Sequence, residues 1–120
     1  MDYKYINTEY LDSVSGGDPE IITEIVALFK EQATEISEEM RSLYSAKNYK
    51  SLGLLAHKAK SSVLIMGMND LAVMLKTFEL QAKEEKEHQL YESYITRFST
   101  ETSAAVVELE DLVRNCLNRN

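Results

Sequence analysis

The sequence predicts an all-α protein, an antiparallel up-and-down four-helix bundle with a short extra N-terminal helix. Apolar residues recur at alternating spacings of three and four along four long stretches, which is typical of helices that bury one face. One proline and four glycines in 120 residues leave such helices few interruptions. The links between the stretches are short and polar, which favours antiparallel neighbours. No β-branched alternation typical of a strand occurs, so no strand is predicted.

A short segment at the N terminus, roughly residues 7–14, is predicted to form the extra helix. Its apolar side chains Ile6, Tyr10 and Leu11 would cover one end of the bundle. A pair of glycines, residues 16–17, is expected to end this segment, because glycine readily takes the backbone conformation of a helix end.

The first long helix is expected to begin at the break SGGDPE, residues 15–20. Asp18 can cap the helix with its carboxylate, and Pro19 suits the first helical position, where no backbone N–H is needed. The apolar face then continues for about six turns. It consists of Ile22, Ile25, Val26, Phe29, Ala33, Ile36, Met40 and Leu43.

The remaining three helices follow from the same periodicity. The polar link SAKNYK leads to a helix that Gly67 is expected to cap at its C-terminal end, and Asn69 is expected to cap the next one. The charged stretch KEEKEH, residues 83–88, indicates a loop or a solvated helix end. The three apolar faces are Leu52, Leu55, Ala56, Ala59, Val63 and Met66; then Leu71, Met74, Leu75, Phe78 and Ala82; then Tyr91, Tyr94, Ile95, Phe98, Thr102, Ala105, Leu109, Leu112 and Cys116.

Length and composition favour a single helical domain, residues 1–120. Hydrophobic residues make up 44% of the chain and charged residues 28%, which provides for both a core and a polar surface. The formal net charge of -7 argues against a protein that binds nucleic acid, which needs a basic face. It also argues against binding to an anionic membrane surface. We expect a monomer.

The sequence also predicts a cytoplasmic location. The first residues, MDYKYINTEY, lack the basic and apolar regions of a signal peptide. No apolar run approaches the ~20 residues of a membrane span. The lone Cys116 has no internal disulfide partner, which suits a reducing compartment, and we expect it to be a buried small apolar residue. The initial Met and the polar end RNCLNRN favour a free-standing chain over a domain of a longer protein.

One of the two histidines, His57, lies in the stretch AHKAKSS. At about 100° per residue it falls more than a third of a turn from the apolar face of its helix, on the solvent side. Leu54, Ser61 and Leu64 cluster near it on the same face. An apolar patch around a reactive group is typical of a docking surface. Taken alone, however, the stretch also fits an inert surface histidine.

The chemistry available to this stretch is phosphoryl transfer. Neutral imidazole is a good nucleophile near pH 7 and can attack an activated phosphoryl group without a dedicated base. Lys60, three residues after His57, could neutralise the oxygens of a phosphoryl group on the ring, and Ser61 or Ser62 could donate hydrogen bonds to them. Phosphoryl transfer requires mainly positioning and charge stabilisation, so this sparse set could suffice if a partner supplies the rest.

The stretch resembles the motif of the histidine-containing phosphotransfer (HPt) domain family, A-H-x-L-K-G-S with a glycine further on. Here the residues are Ala56-His57-Lys58-Ala59-Lys60-Ser61-Ser62 and then Gly67. The stretch DLAVMLKTFE is similar to the family's next helix, with Leu71, Leu75 and Glu79 in the expected places. YLDSVSGGDPEIITEIVALF is similar to the family's opening. The resemblance runs from about residue 10 to residue 79, and the last helix is compatible with it.

The resemblance implies a four-helix bundle that carries a phosphoryl group between receiver-domain aspartates or accepts it from a kinase catalytic domain. It implies that His57 is the phospho-acceptor, that Lys60 assists the phosphoryl group and that Gly67 ends the active helix. Two positions depart from the family motif. Ala59 replaces a leucine and is still apolar, whereas Ser61 replaces a glycine and narrows the space beside the ring, although its hydroxyl can donate a hydrogen bond.

The expected partners are response regulator receiver domains and a hybrid sensor histidine kinase. We expect the receiver to dock over the helix of His57, against Gly53, Leu54 and Leu64, with Ser61 and Lys60 beside the transferred group. Gly53 weakens the helix relative to alanine. We expect either that it leaves room for the partner or that it is a surface glycine that the helix tolerates.

No cofactor is predicted for the chain itself. The four glycines form no phosphate-binding loop, so the chain should not use ATP unaided, and Mg²⁺ is expected only in the partner receiver domain. A di-metal carboxylate bundle needs a Glu-x-x-His pair on each of two helices. Glu85 and His88 provide one pair, but Leu54 precedes His57 at the same spacing, so no metal ligand is predicted and His88 is expected in a solvated loop. The alternative to phosphotransfer is a non-catalytic helical adapter with a degenerate HPt fold.

Overall fold

The computed structural model describes residues 3–118, and these residues form five α-helices and no β-strand. The all-α prediction is therefore confirmed. A single 3₁₀ turn, His88–Leu90, precedes the last helix. The α-helices are α1 (Glu9–Ser15), α2 (Pro19–Ser45), α3 (Tyr49–Ile65), α4 (Asn69–Lys83) and α5 (Tyr91–Asn118).

The four long helices pack as an antiparallel bundle. α2 packs on α3, α3 on α4, α4 on α5, and α5 returns to α2. Residue numbers rise along α2 as they fall along α5, because Lys30 Nζ lies 3.8 Å from Glu110 Oε2 and the hydroxyls of Ser37 and Ser99 are in contact further along. The bundle extends 50 Å along its axis and 21 by 20 Å across it. None of the helices among residues 3–118 combines the length and the apolar character needed to span a bilayer.

Burial confirms the predicted apolar faces. The side chains of all four faces are buried or half-buried, and all except Ala33 and Thr102 lie in one core cluster or pack against it. Ile25, Leu43, Tyr94 and Leu112 are the half-buried residues at its margin. Glu79 is buried on the same side of α4 as the apolar residues, although it is an acid. A buried carboxylate is costly unless it is paired, so this residue needs partners.

The starts of the helices are only partly as predicted. The Asp18 side chain accepts a hydrogen bond from the Glu20 N–H at 2.9 Å, and Pro19 is the first residue of α2. The predicted cap at Asn69 is wrong: Asn69 is the first residue of α4, and Met68 precedes it without a side-chain cap. The Asn48 side chain caps α3 instead, by accepting from the Ser51 N–H at 3.4 Å.

The C-terminal end of α3 is the glycine stop that the sequence predicts. Gly67 has φ +71°, and its N–H donates to the Leu64 carbonyl at 3.0 Å. The Met68 N–H donates to the Val63 carbonyl at 3.1 Å, which completes a Schellman motif. A Cβ at position 67 would also lie 2.5 Å from the Cβ of Asn7. Both the positive φ and the lack of space therefore require glycine at this position.

The N-terminal segment closes the end of the bundle where α3 and α4 meet. Ile6 and Leu11 are buried in the core as expected. Tyr10 is exposed, which corrects the prediction: α1 buries one narrow face, and Tyr10 lies about 100° from its neighbour Leu11. The Glu108 carboxylate ties the segment to α5 by accepting hydrogen bonds from three successive backbone N–H groups, residues 4–6, at 2.9 to 3.2 Å.

Candidate functional site

His57 lies in the middle of α3, on the side of the helix away from the core. Its side chain is 58% exposed, whereas its neighbours Ala56 and Ala59 are fully buried. The outward orientation derived from helical geometry therefore agrees with the structure. The imidazole is presented on an open helix surface that a macromolecule can approach.

The ring is held by a carboxylate from the next helix. His57 Nδ1 lies 3.1 Å from both Oε1 and Oε2 of Glu79, whose side chain is only 3% exposed. Lys83 Nζ donates to Glu79 Oε2 at 2.7 Å, and Lys76 Nζ lies 3.9 Å from Oε1. One buried carboxylate thus joins an exposed imidazole to two lysines on its own helix.

These partners decide the charge of Glu79. The hydrogen bond from Lys83 is the main reason that the pKa of Glu79 falls from 4.5 to about 2, and the hydrogen bond and charge of His57 and the charge of Lys76 lower it further, while burial opposes them. Glu79 is therefore an anion at neutral pH and can only accept hydrogen bonds.

The protonation of the ring follows from the charge of Glu79. Because the carboxylate only accepts, Nδ1 of His57 must carry the proton in this hydrogen bond. In the neutral ring the lone pair is then on Nε2, the nitrogen turned away from Glu79. In the neutral form of the ring, the outward nitrogen is therefore the nucleophilic one.

Gly53 does not lie on the exposed face, and its interpretation as clearance for a partner is corrected. The residue is buried, and a Cβ there would lie 3.1 Å from the Glu79 carbonyl oxygen, 3.1 Å from Lys83 Cγ and 3.2 Å from Lys83 N. Four residues before His57, Gly53 is rotated about 40° from it around the helix, toward α4. That flank is covered by the neighbouring helix.

Lys60 and Ser61 flank His57 one turn further along α3. Lys60 is half-buried and forms no ion pair with another residue in the described range, and Ser61 is exposed. Ser62 turns toward α2, where its hydroxyl donates to Gln32 Oε1 at 3.4 Å. Of the two serines, Ser61 is therefore the one on the face of His57.

Two leucines lie on the same exposed face of α3. Leu54 is 63% exposed one turn before His57, and Leu64 is 45% exposed two turns after it. Neither is needed by the core. The predicted grouping of these leucines with His57 is thus present on the surface, and whether a partner docks there stays a prediction.

Charge is divided unevenly over the bundle. α3 and α4 together carry five lysines and two acidic residues, one of which is the buried Glu79. α2 and α5 together carry eleven acidic and four basic residues. An acidic chain therefore presents His57 on its basic side.

The second histidine is in a different environment. His88 is exposed at the end of the charged stretch, where it begins the 3₁₀ turn, and its ring lies 4.3 Å from the ring of Tyr49, centroid to centroid. Within residues 3–118, no three His, Cys, Asp or Glu side chains gather in a way that could hold a metal ion.

The family resemblance includes Glu79, but the sequence predicts no role for this residue at the site. A signal was present, because an acid at position 79 falls next to Phe78 and between Leu75 and Ala82 on a stripe of core residues. Such a residue has to find a partner. The partner is His57, on a different helix.

A known family matches most of the chain. A family model described as the Hpt domain matches residues 24–118, which include α3, α4, α5 and most of α2. No curated protein and no solved structure matches the chain significantly.

Proposed function

Because the chain belongs to the Hpt domain family, we propose that it relays a phosphoryl group between receiver-domain aspartates in a multistep two-component phosphorelay, through phosphohistidine at His57. Histidine phosphotransfer is the function of the family, and its members interact with response regulators and kinases. The observation that carries the assignment to His57 is the hydrogen bond from Nδ1 to a buried, ionised Glu79, which leaves Nε2 free on an exposed surface.

The proposed relay consists of two transfers, one to His57 and one from it. The lone pair on Nε2 forms the bond to phosphorus, and the phosphorus–oxygen bond to the receiver aspartate breaks, so that the aspartate leaves with the bonding electrons as a carboxylate. The Nδ1 proton stays on the ring, which becomes a cation beside the Glu79 anion. In the second transfer, a carboxylate oxygen of another receiver's aspartate bonds to phosphorus as the phosphorus–nitrogen bond breaks. The bonding electrons return to Nε2, so the ring is again neutral with its proton on Nδ1.

Glu79 acts on this step through His57 and is a positioning residue. It fixes the orientation of the ring and the nitrogen that attacks. Its negative charge also favours the positive charge that develops on the ring as Nε2 bonds to phosphorus. Lys83 and Lys76 hold the carboxylate in its ionised form.

Lys60 and Ser61 are proposed to contact the transferred group itself. Lys60 would offset negative charge on the equatorial oxygens, where phosphoryl transfer concentrates it. Ser61 is exposed one turn after His57 and would donate a hydrogen bond to the same oxygens. The serine also occupies more space than the family's glycine, so a receiver should have less room beside the His57 ring.

We propose that the receiver docks on α3 against Leu54 and Leu64. Burying exposed leucine side chains favours association, and the surrounding lysines suit the acidic pocket of a receiver. In this proposal Mg²⁺ belongs to that acidic pocket, and the present chain supplies the histidine without a cofactor of its own. A cytoplasmic location is part of the same proposal.

The test is transfer of labelled phosphate from a phosphorylated receiver domain. The wild type and the His88→Gln control are expected to take up acid-labile, base-stable label, and His57→Gln is expected to take up none. Label on His57→Gln would remove His57 as the acceptor. A wild type that stays unlabelled with every receiver of its host would favour the non-catalytic adapter instead.

A further inference from the structure

Gly53 faces Glu79 and Lys83, the ionised pair on α4 whose carboxylate binds His57. The Cβ that it lacks would meet the backbone carbonyl oxygen of Glu79 and both the backbone nitrogen and Cγ of Lys83, at 3.1 to 3.2 Å. Contacts of 3.0 to 3.4 Å are tighter than nearly all those that real Cβ atoms make, and ordinary contacts begin near 3.4 Å. Two of the three atoms belong to the backbone of α4, which cannot turn aside as the end of a side chain can.

We propose that Gly53 is a positioning residue of the phosphotransfer site, because its missing side chain lets α4 approach α3 closely enough for Glu79 to bind His57 Nδ1. The residues it contacts, Glu79 and Lys83, are one turn apart on α4 and are themselves joined at 2.7 Å. The same short stretch of α4 therefore provides the contact with Gly53 and the hydrogen bond to His57.

The hydrogen bond to His57 has little length to spare. Nδ1 lies 3.1 Å from each carboxylate oxygen, whereas N–H···O bonds in proteins range from about 2.7 to 3.2 Å. A methyl group at position 53 would move α4 outward by a few tenths of an ångström to reach normal contact. That displacement carries the Glu79 carboxylate toward the limit of the hydrogen bond.

Helix propensity alone predicts the opposite outcome. Alanine is a better helix former than glycine, so at an uncovered helix position Gly53→Ala would strengthen α3 and leave the site unchanged. The burial of Gly53 against α4 makes the two interpretations distinguishable. The consequence for the transfer rate rests on the proposed function, but the consequence for the ring of His57 does not.

The experiment reads the tautomer of His57 by long-range ¹H–¹⁵N NMR at alkaline pH, where imidazole is neutral. The wild type is expected to show the proton fixed on Nδ1, and Gly53→Ala is expected to show a mixture of the two tautomers. The control is Lys58→Ala, an exposed position of the same helix, which should keep the wild-type spectrum of the ring. An unchanged tautomer in a folded Gly53→Ala protein would overturn the proposal.

A second pair of variants covers the case in which Gly53→Ala does not fold. Lys83→Ala removes the Cγ contact and also one hydrogen-bond partner of Glu79, so its ring spectrum serves as the reference for the second variant. Adding Gly53→Ala to that variant restores only the contacts with the α4 backbone, and the tautomer is expected to become more mixed than in Lys83→Ala alone. If both variants give the same ring spectrum, Gly53 does not position Glu79.

Transfer from a phosphorylated receiver is measured on the same proteins. Gly53→Ala is expected to slow transfer about tenfold, the size of one weakened charge-assisted hydrogen bond. A rate equal to that of the wild type, in a protein with a mixed tautomer, would contradict the link to catalysis. A wild type that never accepts phosphate would overturn the proposed function, whereas the NMR result would still decide the role of Gly53.

Discussion

His57 Nδ1 and the carboxylate of Glu79 lie 3.1 Å apart across the contact between α3 and α4. The imidazole is exposed and the carboxylate is buried, so the bond joins a surface group to an interior one. Lys83 and Lys76 keep the carboxylate ionised. The hydrogen bond sets the orientation and tautomer of the ring within the chain itself, which would reduce the ordering that the proposed transfer step requires.

Replacing the Glu79 carboxylate by an amide should slow transfer without unfolding the bundle. Glu79→Gln keeps the size of the side chain but removes the negative charge beside the ring, and we expect the rate to fall roughly ten- to a hundredfold. The rate is measured as label transferred from a phosphorylated receiver. Glu84→Gln, at an exposed acid just after α4, is the matched control, and equal rates in the two variants would exclude a role for the Glu79 charge.

The stability contributed by the Glu79 charge should depend on pH in a defined window. The pKa of Glu79 is lowered from 4.5 to about 2, so the contribution is complete above pH 4.5 and is lost as the pH falls toward 2. The free energy of unfolding of the wild type, minus that of Glu79→Gln, should decline by roughly 2 to 3 kcal/mol over this window. Urea unfolding at a series of pH values measures it, and a constant difference would disagree with the ionised network.

Lys60→Ala should impair the phosphorylated state and leave the fold intact. The ammonium group is proposed to offset charge on the phosphoryl oxygens, so its loss should shorten the lifetime of phosphohistidine or slow transfer by about tenfold. Lys58→Ala removes a neighbouring exposed lysine and serves as the control. Equal lifetimes and transfer rates in both variants would take Lys60 out of the mechanism.

The leucines beside His57 should contribute to the affinity for receivers. Leu54→Asn and Leu64→Asn each remove exposed apolar surface, and we expect the Kd for a receiver to rise about tenfold for each. Leu28→Asn is the matched control, because it makes the same substitution at an exposed leucine of another helix, α2. Calorimetry with an unphosphorylated receiver measures the affinities. An increase in Kd as large for Leu28→Asn would mean that the docking surface is assigned to the wrong face.

The sequence predicts the fold well because each long helix buries one continuous face, and the spacing of apolar residues reports that face directly. It also predicts that His57 points outward, since this depends only on the geometry of one helix. Gly53 is different: it lies on the flank of the helix, and only the position of α4 decides whether that flank is exposed. Glu79 poses the same difficulty, because its partner is on another helix.

Two local predictions from the sequence, the cap of α4 and the burial of Tyr10, are wrong for similar reasons. The cap of α4 falls one residue earlier than predicted because the Schellman turn at Gly67 brings Met68, and not Asn69, to the residue before the helix. Tyr10 is exposed because a helix of seven residues has room to bury only one narrow face, which Leu11 occupies. Both depend on how consecutive elements meet, which the spacing of apolar residues within one helix does not report.

In the proposed transfer, Glu79 holds the Nδ1 proton of His57 so that Nε2 receives the phosphoryl group. The most direct measurement is the ³¹P–¹⁵N coupling pattern of the protein phosphorylated by a receiver and labelled at its histidine nitrogens. We expect phosphorus on Nε2 of His57, with the proton retained on Nδ1. Phosphorus on Nδ1 of His57, or on His88, would contradict it.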